Sequence, residues 1–120
     1  MIVQIERDFR FVIENRSILG VLLFGSHASG DATPRSDIDI CIVVPGRDLC
    51  EMYSYIMSNL ENNINRYDIR FFEELPLYIR MDVITDGIPV ISHDIPALYE
   101  YFYKFRKIWV DVDYRLKNVV

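Results

Sequence analysis

Two apolar runs, VLLF at 21–24 and ICIVV at 40–44, flank the stretch GSHASGDATPRSDID at 25–39. Each run reads as a buried strand, so the chain must turn within that stretch. The stretch holds a Gly-Ser pair, a second glycine, a proline and two aspartates spaced i and i+2. Residues two apart on a strand point to the same side. Asp37 and Asp39 therefore project together, and Ile38, Ile40 and Ile42 project to the other side. Paired carboxylates repel and raise each other's pKa unless something positive intervenes. A divalent cation such as Mg²⁺, which takes oxygen ligands, relieves that repulsion. The Gly25-Ser26 turn offers backbone N–H groups and a hydroxyl suited to a phosphate. A phosphate cradle beside metal-binding carboxylates is the equipment of phosphoryl or nucleotidyl transfer.

The chain has 120 residues, which fits one domain spanning 1–120 with a single modest core. Its 51% hydrophobic and 13% aromatic content leaves ample material for burial. No apolar run reaches the roughly 20 residues needed to span a bilayer, and no signal peptide opens the chain, so a cytoplasmic location is expected. Cys41 and Cys50 are too few for a disulfide framework or a zinc site and read as structural thiols. The net charge of −5 argues against stable binding of a nucleic-acid backbone, which calls for a basic surface. A free nucleotide and a protein or small-molecule acceptor fit better than a primer strand.

Helical spacing of Ile2, Ile5, Phe9, Val12 and Ile13 predicts an amphipathic helix over 2–15. After Pro45-Gly46, Asp48 is placed to cap a helix over about 49–64, with Leu49, Tyr53, Ile56, Leu60 and Ile64 in one stripe. A strand over 66–72 follows, with Tyr67, Ile69 and Phe71 on one face and Arg66, Asp68, Arg70 and Phe72 on the other. Taken alone, a solvent-facing strand side explains Asp68 about as well as catalysis does. A short helix then stops at Gly87, and a brief strand near Val90-Ile91 carries Pro89, which places it at a sheet edge or at its own start. Ser92 or Asp94 caps a last helix running to near Lys117. Its Leu98, Tyr101, Phe102, Phe105, Ile108, Trp109, Val112 and Leu116 make a surface wider than one stripe, mostly core and partly suited to a partner.

The segment GSHASGDATPRSDIDI resembles the signature of the DNA polymerase β-like nucleotidyltransferase superfamily, and within it the minimal nucleotidyltransferase (MNT) family. Gly25, Ser26, Ala28, Gly30, Pro34, Ser36, Asp37 and Asp39 fall where that motif has them. Ser29 departs from it, because many members carry arginine before the second glycine. A later aspartate and the Leu-Pro-Leu-Tyr segment at 75–78 extend the resemblance over most of the chain.

The expected fold is α/β, the polymerase β-like nucleotidyltransferase fold, with a small mixed sheet and helices packed on one face. The resemblance implies transfer of a nucleoside monophosphate, AMP from ATP, to a hydroxyl. Asp37 and Asp39 would hold two Mg²⁺ ions. Asp68 matches the family's third carboxylate, as metal ligand or as base. Gly25 and Ser26 would bind phosphates, with Ser36 and Arg35 beside them; Arg35 either reaches the polyphosphate or is an ordinary surface charge. His27 and His93 read as incidental, Asp31 as facing solvent, and Arg70 as a partner for Asp68. The resemblance also implies a HEPN-domain partner in a toxin–antitoxin pair, with a partner tyrosine as acceptor and a homo- or hetero-oligomer as the assembly. Two other expectations stand beside it. One is an antitoxin that works by contact alone, and the other is a nucleotidyltransferase for a small hydroxylated molecule such as an aminoglycoside.

Overall fold

A computed structural model of the chain describes residues 1–60 and 65–118. The elements are α1 (Ile2–Asp8), a 3-10 turn (Arg10–Glu14), β1 (Gly20–Phe24), α2 (Ser26–Ser29), β2 (Ile38–Val43), α3 (Leu49–Leu60), β3 (Tyr67–Phe71), a second 3-10 turn (Phe72–Glu74), α4 (Leu77–Asp86), β4 (Ile88–Ile91) and α5 (Ile95–Lys117). The four strands form one mixed sheet in the order β3-β2-β1-β4. β1 runs antiparallel to β2 and β4, and β2 runs parallel to β3 through the α3 crossover.

The unbroken apolar runs of β1 and β2 follow from burial on both sides. On one face, Val21, Leu23, Ile40 and Ile42 pack with Ile5, Phe9 and Val12 and with Ile56 and Leu60 of α3. On the other, Leu22, Cys41 and Val43 pack with Phe72, Val83 of α4, and Leu98 and Phe102 of α5. The α/β class and the mixed sheet are as expected, but helices cover part of both faces rather than one. The reason is visible in β2, where Cys41 and Val43 are as buried as Ile40 and Ile42.

The first helix is shorter than expected, and the apolar stripes of α3 and α5 are buried only in part. The first helix ends at Asp8 and continues as a 3-10 turn, so Phe9 and Val12 reach the core while Ile2 and Ile13 stay exposed. Within α3, Ile56 and Leu60 are buried and Tyr53 is exposed; the expected continuation through Ile64 lies outside the described residues. In α5, Leu98 and Phe102 are buried and Tyr101 and Phe105 pack beside them, whereas Ile108 and Leu116 are exposed. The caps behave as their chemistry dictates: Asp48 Oδ1 accepts from Glu51 N–H at 3.1 Å, and Asp94 Oδ1 from Ala97 N–H at 3.1 Å. Pro89 lies on β4, an edge strand, where a missing N–H is tolerated.

Candidate active site

The site is built where the ends of three adjacent strands meet. β1 ends at Phe24, and Gly25 leads directly into α2 with φ 72° and ψ −151°. That conformation is open essentially to glycine alone. A Cβ at Gly25 would stand 2.3 Å from Asp39 Oδ2, so the bare backbone is also what makes room for the carboxylate. The register sets Phe24 opposite Asp39, and Asp39 opposite Asp68. Gly25 just beyond β1, Asp39 on β2 and Asp68 on β3 thus lie in a row.

Asp39 and Asp68 share one face of the sheet, close enough for a hydrogen bond between their carboxyl groups. Burial, first, and the charge of Asp68, second, hold the Asp39 carboxyl above its ordinary value. The hydrogen bond with Asp68 and the charge of Asp37 push the same way, and the charge on His27 opposes them. Arg70 Nε pairs with Asp68 Oδ1 at 3.3 Å, as expected, with both side chains well exposed. Asp37 precedes β2 and is exposed. Among the described residues no three His, Cys, Asp or Glu side chains are placed to hold one metal ion together. The sheet therefore brings Asp39 and Asp68 together and leaves Asp37 on the approach to them. Two abutting carboxylates, Asp39 and Asp68, still have the donor chemistry that a hard divalent cation takes, and that donor set fits Mg²⁺.

In the loop, Ser26 opens α2, whose first turn leaves backbone N–H groups without intrahelical acceptors. Ser29, the departure from the motif, is 3.3 Å from Ser26 O and 3.1 Å from Asp31 Oδ2, closing the end of α2 on itself. Asp31 is exposed, as expected. Ser36 Oγ accepts from Thr33 N–H at 2.9 Å, and Ser36 N–H donates to Thr33 O at 3.0 Å, so this serine holds the loop in shape. Arg35 is exposed and carries no ion pair among the described residues. His27 is not incidental. It is half-buried, and its Nε2 lies 3.1 Å from Ser36 O, which ties α2 to the approach to β2.

Beside the carboxylates lies a cavity of about 500 Å³, lined by Phe24, Asp39, Asp68, Arg70, Glu74, Leu75, Pro76 and Ile79. Phe24 and Ile79 were not singled out from sequence. The one available signal was that Phe24 immediately precedes the glycine turn.

The domain family described as Polymerase beta, Nucleotidyltransferase matches residues 9–96. The chain belongs to that family. The match takes in the whole Gly25–Asp39–Asp68 row. Among curated relatives, "Putative protein adenylyltransferase MJ1547" of Methanocaldococcus jannaschii is 48% identical over 101 residues, covering 84% of this chain and 77% of that protein. Two solved structures share the nucleotidyltransferase fold. A toxin–antitoxin crystallised with AMP-PNP matches with a TM-score of 0.72 at 16% identity, over 93% of this chain and 92% of that one. A tri-AMPylated Shewanella oneidensis HEPN toxin in complex with its MNT antitoxin matches with a TM-score of 0.64 at 16% identity, over 97% and 89%. No helix among the described residues of this nucleotidyltransferase is long and apolar enough to cross a membrane.

Proposed function

We propose that this nucleotidyltransferase moves AMP from ATP to a tyrosine hydroxyl of a cognate HEPN-domain protein and so acts as the antitoxin of a toxin–antitoxin pair in the cytoplasm, where its nucleotide is found. The observation that carries the transfer chemistry is the Gly25–Asp39–Asp68 row across three strands. The adenylyl group and the HEPN acceptor are supported by the M. jannaschii relative's name and by the toxin–antitoxin complexes of the same fold.

Gly25 and the first turn of α2 receive the β and γ phosphates through backbone N–H groups, with the Ser26 hydroxyl beside them. Arg35 extends from the loop toward the same charge, and Ser36 keeps that loop in place. Asp39 and Asp68, joined by Asp37 from the approach to β2, would hold Mg²⁺, two ions in the full complex, and the metal would supply neutralisation of the triphosphate and a lowered pKa of the acceptor hydroxyl. The acceptor oxygen bonds to the α-phosphorus, the bond from that phosphorus to the oxygen bridging to the β-phosphate breaks, and pyrophosphate leaves. Asp68 takes the hydroxyl proton, directly or through water. Positioning and charge neutralisation do most of the work in such a transfer.

The test is incubation of the purified chain with ATP, Mg²⁺ and the HEPN-domain protein encoded beside it. One or more AMP groups should appear by mass spectrometry on a partner tyrosine. An Asp37→Asn, Asp39→Asn double variant should fold and transfer nothing. Transfer at the ordinary rate by that variant would sink the assignment. Neutralisation of the partner with no added mass would favour an antitoxin that works by contact.

A further inference from the structure

We propose that the acceptor is delivered as an extended polypeptide segment that adds to the sheet along the outer edge of β3. This rests on the transfer reading above and concerns how the acceptor is held.

Among the described residues β3 pairs with β2 alone, so its other side is a sheet edge. A cleft of about 620 Å³ follows that edge. It is lined by the consecutive residues Asp68, Ile69, Arg70 and Phe71, and by Tyr53 on α3. Successive strand residues point to opposite faces, so a cleft that touches all four runs along the edge rather than over one face. The direction of the backbone is also set. Phe71 N–H donates to Glu74 Oε1 at 3.2 Å and so points away from β2. Two residues earlier, the peptide groups of Ile69 point the same way, and among the described residues no hydrogen bond outside the ladder engages them. Exposed edges of this kind are templates for another strand.

The reaction geometry selects the same side. Pyrophosphate leaves toward Gly25 at the end of β1, so an in-line acceptor must enter from the opposite side of the α-phosphorus. Across the sheet the sequence is Gly25, Asp39, Asp68 and then the cleft. Two strand spacings, roughly 10 Å, separate the β1 end from the β3 edge, a span suited to a phosphate chain and an attacking oxygen. A peptide supplies N–H and C=O groups at strand spacing, and main-chain pairing of this type gives affinity while alternate side chains give specificity. Side chains of the added strand on the Asp68 face would bring a hydroxyl to the carboxylates, and the half-exposed ring of Tyr53 forms the opposite wall.

Amide hydrogen exchange of the full chain, with and without the HEPN-domain protein, reads this directly. The Ile69 amide should exchange at least about tenfold more slowly in the complex. Tyr53→Asp should lower kcat/KM for the partner about tenfold and leave the Kd for AMP-PNP unchanged, which separates acceptor docking from damage to the nucleotide site. If AMP is transferred while Ile69 exchange is unaltered by the partner, the edge is not the docking site and the transfer reading survives. If the wild-type chain transfers no AMP to the partner or to a blocked tyrosine peptide, the transfer reading falls and this inference falls with it.

Discussion

At the scale of single residues, Gly25 and Asp39 are one unit. The φ of 72° at Gly25 and the 2.3 Å that would separate its Cβ from Asp39 Oδ2 act together. Gly25→Ala should therefore cost about 1–3 kcal/mol in backbone strain and displace the carboxylate. A displacement near 1 Å costs roughly a hundredfold in rate, so we expect at least that loss in AMP transfer. Ser26→Ala removes one hydroxyl and leaves the backbone donors, and should weaken nucleotide binding about tenfold or less. Equal, small effects of the two substitutions on transfer kinetics would contradict the cradle.

The raised Asp39 value makes a second residue-scale prediction, for the metal-free protein. A carboxyl whose pKa is raised on folding binds its proton more tightly in the folded state. Its effect on stability is therefore favourable at acid pH and is lost as pH rises through the folded value. Asn resembles the protonated form, so in EDTA at pH 7 the Asp39→Asn variant should melt above wild type. That gap should close at acid pH, and also when Mg²⁺ is added to wild type. A variant that melts lower than wild type in EDTA at pH 7 would show that burial and Asp68 do not penalise the charge. The closeness of Gly25 to Asp39 was legible in the sequence because both lie within one short stretch between two strands. The tie from His27 to Ser36 was not, because it spans a folded loop whose closure no local pattern encodes.

At the scale of elements, the β2–α3–β3 crossover sets Asp39 against Asp68, and the segment after β3 locks it. Glu73 lies at the centre of that lock. Its Oε1 accepts from Val44 N–H and its Oε2 from Tyr101 OH, each at 2.9 Å, so one carboxylate ties the end of β2 to α5. Burial, and then the bond to Glu73, push the Tyr101 phenol above its ordinary pKa and keep it a donor. Arg80 donates to Glu73 O and Leu75 O, both at 2.8 Å, and stacks on Phe72 and Phe105. Glu73→Ala leaves two half-buried donors unpartnered and should cost on the order of 1–3 kcal/mol in chemical denaturation. Tyr101→Phe should cost less in the Glu73→Ala background than in wild type, because the shared bond is already gone. Additive costs would mean that the two side chains do not act together. Sequence periodicity identified all four strands, but it showed Glu73 only as one of two adjacent acids. A hydrogen bond to residue 44 or 101 leaves no trace in local spacing.

At the scale of the whole molecule, α5 divides into two halves with different roles. The extents of 53 × 33 × 25 Å show how elongated the chain is, and α5, at 23 residues, is its longest element. Leu98 and Phe102 are buried in the first half, and Phe102 meets Phe72 at 5.1 Å between ring centres. Beyond Phe105 nothing described is buried, and Ile108, Val110, Tyr114 and Leu116 are each more than half exposed. The apolar spacing in sequence is continuous across both halves, so the point where packing stops could not be read from it. The second half is instead supported by its own surface, with Arg115–Asp111 at 3.2 Å and Lys117–Asp113 at 3.0 Å spaced i, i+4. A chain ending at Arg106 should therefore fold, bind AMP-PNP as the full chain does, and melt within about 4 °C of it, the range of an ordinary surface change. Phe102→Ala, by contrast, empties a core position and should cost about 3–5 kcal/mol, a fall in melting temperature of more than about 10 °C. Differential scanning calorimetry on the three proteins decides the matter. A loss on truncation as large as that of Phe102→Ala would mean that the second half of α5 packs on the body of the protein in solution.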